Sequence, residues 1–185
     1  MTGIDRFIQH WRIGKAMQFI PEAAQVLDIG CADGALFRAF HPGQGSIGVD
    51  PDLRTSVSLG SAELIAGFFP EALPDGRSFD VIAMLAVLEH VPSSEQAQLA
   101  RNCFQFLKPG GKLIITVPSP MVDKILVVLK WLRLARGMKA EQHYGYDVNL
   151  TPGLFESAGF SLVQSKKFQL GLNNLFIFVR PTLLV

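Results

Sequence analysis

Cysteine is scarce: Cys31 and Cys103 are the only two in 185 residues, too few for a disulfide framework or a four-ligand zinc site. Cys31 follows an apolar run and Cys103 falls inside a helical pattern, so both are expected as small buried hydrophobes of a reducing interior. Charge of one sign is also missing. A formal net charge of +1 gives no global attraction to nucleic acid, so any basic patch must be local. Long apolar runs are absent despite a mean hydropathy of +0.28. The longest, residues 125–134, is interrupted by Lys130 and Arg133, far short of the ~20 residues of a membrane span. Residues 1–10 carry Asp5 and Arg6 and no apolar core of a secretory leader, so a cytoplasmic chain is expected. No cluster of His, Asp or Glu has ligand spacing, and no metal is expected.

What is present fits one well-filled domain. Hydrophobic residues make up 49% and charged residues 18%, which excludes a disordered chain and supports one sizeable core at this length. Short apolar runs alternate with helical segments, the pattern of an α/β domain with a mostly parallel sheet. A first helix is expected over residues 4–19, stopped by Pro21. Strands follow at 25–30, 46–50, 62–66, 79–85 and 112–117, with helices at 34–40 and 94–107. The rhythm then changes: 121–136 has helical length and no strand beside it, and reads as part of an insertion at 119–150. Thr151, Pro152 and Gly159 read as N-cap, first residue and stop of a short helix. Runs at 160–168 and 174–179 are close enough for a hairpin, so the last strand should be antiparallel to its neighbour.

In an open parallel sheet, ligands bind beyond the carboxyl ends of the strands, where strand order reverses. The first strand ends in Asp28-Ile-Gly30-Cys-Ala-Asp33-Gly34 and passes directly into a helix. Gly30 and Gly34 let backbone approach a ligand, and the helix start supplies free N–H groups. The second strand ends at Asp50, where a carboxylate can accept both hydroxyls of a ribose. A dinucleotide loop starting at Gly30 would need glycine where Ala32 and Ala35 stand, and no phosphate loop of the G-x-x-x-x-G-K-[ST] type occurs. Acids at 28 and 33 suit a cationic ligand with an amino-acid tail, such as S-adenosylmethionine, rather than a pyrophosphate.

Val26-Leu-Asp-Ile-Gly-Cys-Ala-Asp-Gly34 resembles the first motif of class I S-adenosylmethionine-dependent methyltransferases of the small-molecule type, and Gly48-Val-Asp50 their ribose-binding acid. Phe79-Asp-Val-Ile-Ala-Met-Leu-Ala-Val-Leu-Glu-His-Val91 and Leu107-Lys-Pro-Gly-Gly-Lys-Leu-Ile-Ile-Thr-Val-Pro118 look like their fourth- and fifth-strand segments. The resemblance covers residues 12–118 in order, and the tail from Thr151 is similar. It implies a single Rossmann-like domain: a three-layer sandwich on a mostly parallel seven-stranded sheet, last strand antiparallel. It further implies S-adenosylmethionine as cofactor and S-adenosylhomocysteine as product. Asp28, Gly30, Cys31, Ala32 and Gly34 would lie along the methionine part, Asp50 and Pro51 at the ribose, and Leu85 at the methionine pocket through its backbone. The chain departs from the family twice. Ala32 replaces the usual middle glycine, and Phe68 stands where many relatives carry an acid for the adenine amine. Adenine is therefore expected against Phe68 or Phe69.

Methyl transfer to an activated carbon needs alignment and exclusion of water, and a general base only where the acceptor must lose a proton. The acceptor is accordingly less legible than the cofactor. On a helical wheel, 121–136 has an apolar face (Val122, Ile125, Val128, Leu129, Leu132) opposite Asp123, Lys130 and Arg133. It reads as a lid over an apolar or lipid-linked acceptor, as a peripheral contact with a membrane surface, or as plain packing. In the loop behind it, His143 is the candidate base, with Tyr144 and Tyr146 as acceptor contacts. His90 either caps local backbone or touches substrate, and Arg12 is within reach of the methionine carboxylate. Strand four leads into Ala86-Val-Leu-Glu-His90 rather than a base-clamping aromatic motif, which argues against nucleic acid. The competing assignments are a non-catalytic or regulatory S-adenosylmethionine-binding domain and a nucleic-acid or protein methyltransferase.

Overall fold

The computed structural model describes residues 3–119 and 146–182, with side chains from Arg6 onward. The apolar runs form one sheet, and its central strands at 26–29, 46–50 and 79–85 are buried on both faces. In chain order the strands are β1 (Val26–Ile29), β2 (Ser46–Asp50), β3 (Val57–Leu59), β4 (Ala62–Ala66), β5 (Phe79–Leu85), β6 (Leu107–Pro118), β7 (Ser161–Phe168) and β8 (Asn173–Val179). Their spatial order is β3-β4-β2-β1-β5-β6-β8-β7. The central run from β4 to β6 is parallel throughout, and β8 is antiparallel to both β6 and β7.

The expected seven strands are all found, and an eighth joins them. β3 pairs antiparallel with β4 through Val57↔Leu64 and Leu59↔Ala62, turning at Gly60, whose φ is +62°. Its three residues are largely exposed, so no apolar period announces it. A two-residue turn built on glycine is what closes it.

Among the described residues, four α-helices cover the two faces: α1 (Gly3–Met17), α2 (Ala35–Ala39), α3 (Ser93–Phe106) and α4 (Thr151–Glu156). One core lies under α3 and α4, where Phe155, Phe160, Phe176 and Phe178 join Ile82, Met84 and Leu113. The other lies under α1 and α2, with Ile13, Leu36, Phe37, Val81 and Ile114. Cys31 and Cys103 are both buried free thiols, one in each layer. Thr151 does not cap α4. The helix begins on it, Leu150 holds the cap position without a side-chain bond, and the Thr151 hydroxyl pairs with the Tyr146 phenol instead, 2.8 Å away. Gly159 ends the segment in a left-handed conformation, φ +101°.

Candidate functional site

Strand order reverses between β1 and β5, so a crevice opens above their carboxyl ends. β1 delivers Asp28 into the middle of the sheet, opposite Gly48 on one side and Ala83 on the other. Its side chain is only 4% exposed. Burial, and then the Asp50 carboxylate, push its pKa up to about 8, because desolvation and a like charge both disfavour the anion. A cation placed beside it would reverse that preference.

Past Ile29 the chain makes a tight loop with three left-handed residues, Gly30 (φ +75°), Ala32 (+46°) and Gly34 (+78°). Gly30 and Cys31 both donate their N–H to the Val49 carbonyl, at 2.8 and 3.3 Å, and Gly34 N–H to that of Cys31 at 2.8 Å. At the tip of β2, Asp50 fixes this loop from below. Its Oδ2 accepts from Ala32 N at 2.8 Å and its Oδ1 from Asp52 N at 2.8 Å. Each carboxylate oxygen carries a second lone-pair site, so Asp50 keeps acceptor capacity for a ligand's hydroxyls. Cys31 packs beneath the loop against Gly48, where a Cβ would lie 2.8 Å from its Sγ. Burial pushes its thiol pKa above the ordinary range, with Asp28 and Asp50 adding to the effect, which makes it a packing residue rather than a nucleophile. Pro51 is exposed beside Asp50.

The roof of the crevice comes from the segment after β5. Leu85 is half-buried. Ala86 takes a left-handed φ of +60° and donates its N–H to the Thr116 carbonyl at 2.9 Å. This turns the chain back over the first loop: a Cβ on Gly30 would lie 2.3 Å from Val87 Cγ2. A 3-10 turn, Leu88–His90, follows, with Glu89 buried and His90 Nε2 4.0 Å from its Oε1. Glu89 is 3% exposed and close enough to Tyr146 to help raise that phenol's pKa to about 12, after the larger effect of burial. Its position is not legible in the sequence, since nothing in a Leu-Glu-His run distinguishes a buried glutamate from a surface one.

The two phenylalanines after β4 part company. Phe68 is 70% exposed, two residues beyond Ala66, which pairs with Asp50 at the carboxyl end of β2, while Phe69 lies edge-on against Phe106, centroids 5.4 Å apart, and is committed to the core. Tyr146 is half-buried and held by Thr151. His143, Tyr144 and the segment 121–136 lie outside the described residues. His10 donates from Nδ1 to the Arg6 carbonyl at 2.7 Å, a bond within α1, and Arg12 is half-buried on the same helix. Among the described residues, no three of His, Cys, Asp and Glu stand together as a metal set, and no helix is long and apolar enough to cross a membrane.

The crevice thus offers a buried carboxyl at Asp28 that a cation would ionise, acceptor oxygens at Asp50 and an exposed aromatic ring. These groups fit a cation-bearing nucleoside better than a phosphate. Comparison with known proteins agrees with that chemistry. The profile of the methyltransferase-domain family matches residues 6–165. The ubiquinone biosynthesis O-methyltransferase of Pseudomonas fluorescens strain SBW25 is 32% identical over 104 residues, covering 50% of this chain and 43% of that one. Its counterpart in Pseudomonas aeruginosa strain LESB58 is likewise 32% identical with the same coverage. The chain therefore spans less than half the length of the curated relatives it matches. Among solved structures, an S-adenosylmethionine-dependent methyltransferase from Mesorhizobium loti superimposes with a TM-score of 0.67 at 18% identity, covering 90% of this chain and 96% of that one. Magnesium protoporphyrin IX methyltransferase from Synechocystis, with bound S-adenosylhomocysteine, gives 0.62 at 17% identity, covering 96% and 84%. At those identities the likeness is one of fold.

Proposed function

The chain belongs to the methyltransferase-domain family, and from that premise we propose that it transfers the methyl group of S-adenosylmethionine to an oxygen of a small apolar or lipid-linked acceptor. The observation that carries the reading is the Asp28–Asp50 pair. One carboxylate is buried and waits for a cation, and the other is fixed at the tip of β2 with free acceptor sites. The oxygen acceptor rests on the similarity to ubiquinone biosynthesis O-methyltransferases.

When bound, S-adenosylmethionine supplies a methyl carbon activated by its sulfonium. Asp28 would balance the positive charge of its methionine end. Gly30, Ala32 and Gly34 would lie along that end, with Cys31 packed beneath them. Asp50 would take the ribose hydroxyls with Pro51 beside it, and Phe68 would cover the adenine. Leu85 and Val87 would close the methionine side and exclude water. We assign proton removal from the acceptor to His143, with Tyr144 and Tyr146 as acceptor contacts. We further assign 119–150 as an insertion in a single domain, its segment 121–136 facing the acceptor or a membrane surface. The cytoplasm suits the two buried free thiols.

Calorimetric titration with S-adenosylmethionine and S-adenosylhomocysteine, with NAD as control, tests the cofactor. Asp50→Asn should weaken binding at least about tenfold, the worth of a hydrogen bond to a charged acceptor, while the chain stays folded with a melting temperature lowered by the one loop hydrogen bond that the amide cannot accept. Absence of binding by either compound to the unaltered protein would overturn the reading. Replacing His143 by alanine should slow turnover and leave cofactor affinity unchanged; full activity would remove it from the site.

A further inference from the structure

Three large apolar side chains stand out in solvent at one place. Phe7 (64% exposed) and Trp11 (40%) lie one turn apart on α1, edge to face with centroids 5.7 Å apart. Leu170, at 96% the most exposed of the large hydrophobic residues described, sits at the tip of the turn between β7 and β8. That turn is tied to the same stretch of α1, because Gln169 Nε2 donates to the Ile8 carbonyl at 3.2 Å.

The presentation of Leu170 is built rather than loose. Gln169 and Leu170 both hold left-handed backbone, φ +51° and +56°, a conformation that long side chains rarely adopt and that persists only where the surroundings impose it. The surroundings here are a buried amide network. Gln169 is 7% and Asn173 3% exposed, Asn173 Nδ2 donates to Gln169 Oε1, and Leu172 N–H donates back to the Gln169 carbonyl at 3.0 Å. Ser119 N–H, at the end of β6, donates to the Leu172 carbonyl at 2.8 Å. A structure that fixes its turn so firmly, yet leaves a leucine at the tip almost fully in water, presents that leucine to something.

Placement and charge say to what. β7 and β6 are both antiparallel to β8, so the turn lies at the carboxyl edge of the sheet, the edge that carries the Asp28 loop. Apart from Arg12, which is half-buried, α1 and the β7–β8 hairpin together hold Arg6, Lys15, Lys166 and Lys167 against the single acid Asp5. A protruding apolar tip of Phe, Trp and Leu flanked by cations suits the boundary between headgroups and acyl chains of an anionic bilayer. We propose that Phe7, Trp11 and Leu170 form an interfacial anchor that seats the carboxyl edge of the sheet on an anionic lipid surface. The proposal rests on none of the residues 121–136, and it does not depend on the methyl-transfer reading.

The test is co-sedimentation of the full chain with vesicles of phosphatidylglycerol and phosphatidylcholine, and with phosphatidylcholine alone. Binding is expected to the anionic vesicles and to fall as salt is raised. Leu170→Asn keeps a residue that tolerates left-handed backbone, and Phe7→Gln and Trp11→Gln lie on exposed helix positions, so all three variants should fold. Each should lower the vesicle partition coefficient about tenfold. Val163→Gln, which removes a 64% exposed hydrophobe elsewhere on β7, should leave it unchanged. No binding by the unaltered chain, or equal binding by the anchor variants, overturns the proposal. So does a concentration-dependent dimer that Leu170→Asn dissociates, since the patch would then serve a second copy. S-adenosylhomocysteine binding by Leu170→Asn should match the unaltered chain, which keeps this outcome apart from that of the cofactor test.

Discussion

Ala32 occupies left-handed backbone at φ +46°, where an L side chain costs on the order of 1 kcal/mol relative to glycine. Glycine there would recover that cost and give back about half of it through the freer unfolded chain. Ala32→Gly should therefore raise the melting temperature by a degree or two and leave S-adenosylhomocysteine affinity equal or tighter; a lower melting temperature would mean that the methyl group packs usefully. Gly30 predicts the reverse. Its φ is +75° and an added Cβ would meet Val87 Cγ2 at 2.3 Å, so Gly30→Ala should cost about 2 kcal/mol or more and impair cofactor binding. Val87→Ala in the same chain should restore part of the loss, measured by denaturant unfolding and calorimetry. Asp28 and Asp50 are legible in the sequence because a carboxylate at the end of a buried apolar strand is costly unless a partner or ligand meets it. Val87 is not, because only the left-handed turn at Ala86 brings it over Gly30, and alanine gives no local sign of such a turn. Phe68 and Phe69 read as equivalents because a pair of aromatic neighbours does not reveal which one faces the core.

Between elements, the clearest device is Arg180, just past β8. Its Nη1 donates to the carbonyls of Phe104 at 2.8 Å, Leu107 at 2.6 Å and Gln105 at 3.4 Å, and its guanidinium lies 4.5 Å from the centre of the Phe104 ring. These are the orphan carbonyls at the end of α3, where a cation is also favoured by the helix dipole. The group is partly solvated, so the pair energies are discounted: Arg180→Met should lower stability by about 1–2 kcal/mol and fray the last turn of α3 first, visible as faster amide exchange at residues 104–107. Uniform exchange along α3 would argue against a clasp. Strands β1, β2 and β6 can be read from sequence because each is an apolar run closed by glycine or proline, and β5 because it is a long run of apolar residues. β3 cannot, being short and exposed, and the expected Thr151 cap does not form because a tertiary partner, Tyr146, competes for the hydroxyl. A contact spanning 73–76 residues, like that of Arg180, leaves no trace in local pattern at all.

At the scale of the molecule, the buried Asp28 couples folding, pH and ligand. Its carboxyl titrates at about 8 in the fold and near its ordinary value of 3.8 in the unfolded chain. Between those values the folded state holds a proton that the unfolded state has released, so stability is fully present below about 3.8 and is lost as pH rises toward 8. The unliganded protein should therefore melt progressively lower from mildly acidic to mildly alkaline solution, and Asp28→Asn should flatten that slope and raise the alkaline melting temperature. A cationic ligand beside Asp28 favours its ionised form, so binding near pH 7 should expel a proton from it. The ligand's own amino group, titrating at about 7.7–8 when free, is largely charged there already and adds at most a small uptake of opposite sign. Calorimetry of S-adenosylmethionine binding in buffers of different ionisation enthalpy counts that proton. A release of a large fraction of one proton that disappears in Asp28→Asn would place the ligand's charge against this carboxylate. The same count in both proteins would place the charge elsewhere in the crevice and leave Asp28 as a purely structural strain on the sheet.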